Sequence, residues 1–180
     1  MFGLDRINAG SRVFLRDRRG VAGIEFAFIA GFLSLAVLNV SDIGIYLVKR
    51  MQVENAAQMG TMAALQACDP VHVPATVNCP GLNAAVTAAI QSTSLGNSVT
   101  LSGGAVSEGY YCLNSSSVLQ LMGGVSSKPA NCSAAGMAAL QPADYLRVQV
   151  TFSYVPLFSG ISVAGQFATP IIKVAMVRMI

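Results

Sequence analysis

The run from Val21 to Val48, VAGIEFAFIAGFLSLAVLNVSDIGIYLV, constrains this chain more than any other feature. It is almost wholly apolar, interrupted by polar residues that include Glu25, Asn39, Ser41 and Asp42. A helix needs about 20 mostly apolar residues to cross the hydrocarbon core of a bilayer, and this run supplies them. The flanking charges give it a direction. Arg6, Arg12, Arg16, Arg18 and Arg19 precede it against Asp5 and Asp17, and the rest of the chain balances its cations and anions. Lys49 and Arg50 follow the run, but the arginines before it outweigh them. The positive-inside bias therefore predicts a cytoplasmic N-terminus, with everything beyond Arg50 on the outer side. A secretory signal peptide would carry a shorter apolar region, about 7 to 15 residues, closed by small residues at an A-x-A-like site. Here the run is longer and polar residues close it.

The remainder is unusual for a soluble domain. Charged residues make up 11% of the chain and apolar ones 53%, against roughly 25% charged in typical soluble domains. The net charge of +3 sits in the leader and not on a folded face, which argues against nucleic acid as a partner. Cys68, Cys79, Cys112 and Cys132 all follow the apolar run, and an even count in an oxidising compartment predicts two disulfides. Four cysteines allow three connectivities. Cys68 with Cys79 and Cys112 with Cys132 is favoured, because each pair brackets a Pro- or Gly-containing loop. No C-x-x-C spacing occurs, and His72 is the single histidine, so neither a zinc site nor a histidine-based nucleophile is expected. No cofactor is expected.

Beyond the apolar run, KRMQVENAAQMGTMAALQA is rich in good helix formers, which predicts that one helix continues to about Ala67. From Val21 that is a rod of about 70 Å at about 1.5 Å per residue. Gly31, Gly44 and Gly60 are places for bending or close approach, with Gly44 and Gly60 read as incidental. Asp42 with Lys49, and Glu54 with Arg50, are expected to form interfacial or surface pairs. DPVHVPATVNCPG reads as a turn-rich loop. Leu82, Val86, Ala89 and Ile90 are spaced for one face of a short helix. NSVTLSGG and AVSEGYYCL are β-prone runs expected to form a hairpin at Gly103 and Gly104. The stretch 114–142 reads as loops with about one turn of helix. YLRVQVTFSY alternates strictly, the mark of a strand with one buried face. PIIKVAMVRMI gives a last strand whose weaker alternation predicts burial on more than one side. The fold class expected is α+β: a long N-terminal helix packed on a small antiparallel sheet in a disulfide-bonded head. Four segments follow: a basic cytoplasmic leader at 1–20, a transmembrane helix at 21–48, its extramembrane continuation at 49–67, and an extracytoplasmic head at 68–180.

At the junction, RDRRGVAGIEF places Glu25 five residues after Gly20, with Phe26 next. This arrangement resembles the processing site of pilins and pseudopilins of the tight-adherence branch of type IV pili, in particular the TadE-like proteins. The likeness runs over 16–64, and YLRVQVTFSYVPLFSG over 145–160 is similar to the strand and turn that close such chains. The resemblance implies cleavage between Gly20 and Val21 by a prepilin peptidase on the cytoplasmic face. Glycine suits such a site because its backbone enters tight conformations freely. The new amine of Val21 would lie one helical turn from Glu25, and in a stack of protomers it could neutralise a neighbour's Glu25. Glu25 and Phe26 are thus the residues expected to govern helix assembly.

The function implied is a minor pilin or pseudopilin, a structural component of pilus assembly and not an enzyme. Its partners would be other pilins through the membrane helix, the prepilin peptidase, the inner-membrane assembly platform and membrane lipid. Its place would be the bacterial inner membrane, single pass, with a periplasmic head that could enter a surface fibre. The competing readings are an uncleaved, membrane-anchored envelope protein with a binding head, and an anchored enzyme dependent on His72.

Overall fold

The structure, a computed structural model, describes residues 19–167 and 169–179; most of the leader, including Arg6, Arg12, Arg16 and Arg18, lies outside them. Helix α1 spans Arg19–Ala67 as a single element. It stops where Pro70 follows Asp69, because the residue before a proline is pushed out of the helical region. Asp69 is extended, and its carboxylate accepts from the Val71 amide at 3.1 Å. The C-terminal half of α1 buries Val53, Ala56, Ala57 and Ala64, and Cys68 just beyond its end is buried with them. These residues form a stripe at three- and four-residue spacing that lies on one face.

The small residues on that stripe let other elements come close. At Gly60 an added Cβ would meet Val148 Cγ1 at 2.9 Å, Ile90 Cγ2 at 3.0 Å and Val86 Cγ1 at 3.3 Å. Gly60 is therefore not incidental: α1, the helix at 82–91 and the central strand converge on it. Gly31 and Gly44 face open space, as expected of Gly44, and no neighbouring element approaches Gly31.

A short helix, α2 (Ala75–Asn78), sits inside the proline-rich loop, and α3 (Leu82–Gln91) follows. Leu82, Val86 and Ile90 of α3 are buried against α1 and the sheet, the face that the apolar spacing predicts. The sheet contains β1 (Val99–Leu101), β2 (Ser107–Leu113), β3 (Leu119–Gly124), β4 (Ala143–Phe152) and β5 (Ile171–Arg178), all paired antiparallel. Strand β4 is the spine. Its Leu146, Val148, Val150 and Phe152 point into the core while the residues between them are half-exposed. Two helices thus cover one face of the sheet, the α+β arrangement expected.

Three expectations about the strands are overturned. First, β1 and β2 form no hairpin with each other. Val99 pairs with Phe152 and Leu101 with Val150, while Ser107 pairs with Arg147 and Tyr111 with Ala143. They are successive pieces along one edge of β4, and Gly103 and Gly104, at φ +73° and +75°, form an outward loop between them. Two glycines with positive φ suit a hairpin turn locally, but the long alternating β4 offers each piece more pairing than they offer each other. Second, 119–124 within the stretch read as loops is a strand, β3, paired to β2 with an irregularity between Tyr110 and Tyr111. Third, β5 is an edge strand with one packed face. Ile171 is buried beneath α1, whereas Ile172 and Val174 are half-exposed on the other side.

Cys68 is bonded to Cys79 and Cys112 to Cys132. The first bond closes the proline-rich loop onto the end of α1. The second anchors β2 to the 132–137 turn, where Cys112, Cys132, Ala135 and Met122 make a small core of their own. The expected ion pairs are also rearranged. Glu54 meets Lys173 on β5 at 2.9 Å instead of Arg50, and the Lys173 ammonium holds its carboxyl below the usual range. Lys49 lies 6.0 Å from the centre of the Phe152 ring, and Asp42 takes partners from the head.

Candidate membrane anchor and its junction with the head

From Val21 to Leu38 no other element covers α1. Phe26, Phe28, Phe32 and Val37 are largely exposed, as are Ile24, Ile29 and Leu33, which distributes bare apolar side chains around the whole helix. A helix apolar on every face belongs in an apolar surrounding, whether the core of a large protein or a bilayer. This is the one helix among the described residues that is long and apolar enough to cross a membrane. At about 1.5 Å per residue the bare segment measures about 27 Å, close to the hydrocarbon thickness of about 30 Å.

The polar groups of this segment and its C-terminal boundary are arranged for such a surrounding. Ser34 Oγ donates to the Ala30 carbonyl at 2.8 Å, Asn39 Nδ2 to Leu35 at 2.9 Å and Ser41 Oγ to Val37 at 2.9 Å. Each side chain folds onto its own helix one turn back, which meets its donor without help from lipid. Glu25 is the exception, exposed on the bare segment together with Phe26. Gly20 and Val21 lie within the first turn of α1. The structure thus puts the residues of the expected processing and assembly sites at the N-terminal end of α1, and the four cysteines of the disulfides in the head.

Where the bare segment ends, the head takes hold. The connection from β4 to β5 closes around α1 at three successive turns. Asn39 Oδ1 accepts from the Val163 amide at 2.8 Å. Asp42, with no exposed surface, accepts from the Tyr154 hydroxyl at 2.9 Å and from the Leu157 amide at 3.0 Å. One turn on, the Tyr46 ring meets Tyr154 edge-on at 5.2 Å and Phe167 at 4.8 Å. The Tyr154 hydroxyl is pushed up to about 12 by burial and by the Asp42 carboxylate beside it. Asn39, Asp42 and Tyr46 are spaced three and four apart, which sets them on one face of α1. That spacing is visible in the sequence, but Asn39 and Asp42 read there as interruptions of an apolar run. Nothing in the sequence identifies Tyr154, Leu157 and Val163 as their partners.

A second polar cluster lies at the opposite end of β4. Asp144 is buried, 4% exposed, with neither carboxyl oxygen hydrogen-bonded among the described residues. Burial, followed by the nearby Glu108 carboxylate, raises its pKa to about 6, against a smaller lowering by Lys128. Glu108 itself accepts from the Ala75 and Thr76 amides, each at 2.7 Å, and from the Thr76 hydroxyl at 2.6 Å. It fastens the first disulfide loop to β2. Tyr110 is raised by burial and by the same two carboxylates, and Lys128 stands 5.6 Å from its ring centre. No group of three or more metal-ligating side chains occurs among the described residues.

No family model, no curated protein and no solved structure matches this chain.

Proposed function

We propose that this protein is a membrane-anchored pilin-like subunit, a minor pilin or pseudopilin of the tight-adherence type. It crosses the bilayer with Val21–Leu38 and assembles with like subunits through that helix. One observation supports this reading above the rest. A single 49-residue helix is bare and apolar at its inner end and is built into a disulfide-bonded head at its outer end, and its bare segment carries a lone carboxylate, Glu25. A carboxylate within lipid is costly unless paired, and such residues usually mark function. A helix that served only as an anchor would gain nothing from it.

Cleavage between Gly20 and Val21 would supply a partner for that charge. It removes the leader arginines and creates an ammonium at Val21, one turn from Glu25 on the same helix and within reach of Glu25 on a neighbour. Laterally packed helices then satisfy each other's charge, while the rigid rod carries each head outward. The head faces the periplasmic side of the inner membrane or the surface of a fibre. It needs no catalytic chemistry for this role.

The deciding experiment is the intact mass of the protein made with and without a tight-adherence prepilin peptidase. A chain beginning at Val21 only in the presence of the peptidase is the expected result. A leader retained under both conditions would favour an uncleaved envelope anchor with a binding head.

A further inference from the structure

We infer that the β4–β5 connection over Tyr154–Phe167 is a membrane seat, an apolar surface that rests on the outer leaflet of a phospholipid bilayer and fixes the depth of the head. This rests on the membrane-anchor reading of Val21–Leu38. The sequence YVPLFSGISVAGQF contains no charged residue. Val155 and Leu157 are 73% and 66% exposed, and Ile161 and Val163 are about half-exposed. Isolated exposed apolar side chains are ordinary, but several adjoining ones indicate a partner surface.

The position of these side chains selects the partner. The same connection is fastened to α1 at Asn39 and Asp42 through the Val163 amide, the Leu157 amide and the Tyr154 hydroxyl. It is therefore the region of the head nearest the bare segment. With Val21–Leu38 filling a hydrocarbon core of about 30 Å, Asn39 emerges at the outer boundary. The Val163 and Leu157 amides are bonded to α1 at this level, so the lipid surface that receives the anchor also meets the exposed apolar side chains of the connection. The small polar groups of the connection, such as Ser159 and Ser162, suit the headgroup region. A protein partner would have to share this space with the headgroups around α1.

The absence of tryptophan from the chain makes a direct test available. Single-tryptophan variants Leu157→Trp and Ile161→Trp, both at exposed positions, are made in the full chain and reconstituted in phosphatidylcholine vesicles. Phe28→Trp reports the anchor. Val118→Trp, exposed in the β2–β3 connection at the other end of the sheet, reports the distal head. Lipids brominated high in the acyl chain quench an indole near the interface, and lipids brominated near the chain end quench one at the depth of Phe28, so each position is read with the lipid that reaches it. The expected result is quenched, blue-shifted emission from Leu157→Trp and Ile161→Trp, with Val118→Trp unquenched and water-like. Quenching of Phe28→Trp with both connection variants behaving like Val118→Trp overturns the seat while leaving the anchor standing. An unquenched Phe28→Trp overturns both.

Discussion

Two single residues carry consequences out of proportion to their size. Gly60 is one, since a methyl there would press on Val148 at 2.9 Å and Ile90 at 3.0 Å. Overpacking of this kind costs about 1–3 kcal/mol, and the better helix propensity of alanine returns at most about 1 kcal/mol. Gly60→Ala should therefore lower the thermal stability of the head, whereas Gly44→Ala, in open space, should leave it unchanged or raise it; differential scanning fluorimetry in detergent distinguishes them. Asp144 is the other. Its folded pKa is raised from 3.8 to about 6, so folding favours the protonated form. Its contribution is then fully present below the unfolded value and is lost as pH rises through about 6. A shift of this size is worth on the order of 3 kcal/mol. Chemical denaturation of the wild type and of Asp144→Asn isolates this group: the stability gained by the substitution should be largest at about pH 7.5 and should fall away toward about pH 4.

At the level of elements, the two disulfides have unequal reach. Cys68–Cys79 ties the end of α1 to the main core, while Cys112–Cys132 belongs to a separate small cluster around β3. Replacing Cys112 and Cys132 together by serine should cost about 3 kcal/mol on the chain-entropy account. Hydrogen exchange should rise first in β3 and the 132–137 turn, with β4 and α3 remaining protected; uniform loss of protection would show that the two cores are one cooperative unit. The clasp on α1 allows a parallel measurement. Tyr154→Phe removes the hydroxyl that donates to Asp42 and weakens the hold of the β4–β5 connection on α1. Exchange at the Leu157 and Val163 amides should then accelerate while β4 is unaffected.

For the whole molecule, the governing fact is that one continuous helix serves both the apolar span and the packed core. The head cannot tilt independently of the anchor without breaking the Asn39 and Asp42 contacts. The protein should stay in the membrane pellet after alkaline carbonate extraction and leave it in detergent. Protease added to the outer face of spheroplasts should digest the head and spare the bare segment; digestion only after lysis would reverse the topology.

The apolar span, the charge on its N-terminal flank and the length of α1 are legible in the sequence because each is a local property: sustained hydropathy, a cluster of arginines, and helix formers up to the first proline. The alternation of β4 and the inward face of α3 are legible for the same reason, since periodicity records burial on one side. Neighbours in space leave no such record. The local turn signal at Gly103 and Gly104 suggests a hairpin, but competition for the edge of β4 makes β1 and β2 pair elsewhere. Gly60 reads as a neutral glycine until α3 and β4 converge on it. Glu54 has Arg50 at helical spacing, yet Lys173 reaches it from the last strand. Asp42 looks like a flaw in an apolar run, and only folding brings Tyr154 and Leu157 to it. Which segments are apolar, helical or extended thus follows from the order of residues along the chain. Which polar groups meet follows only from the packed arrangement, because those contacts join residues more than a hundred positions apart.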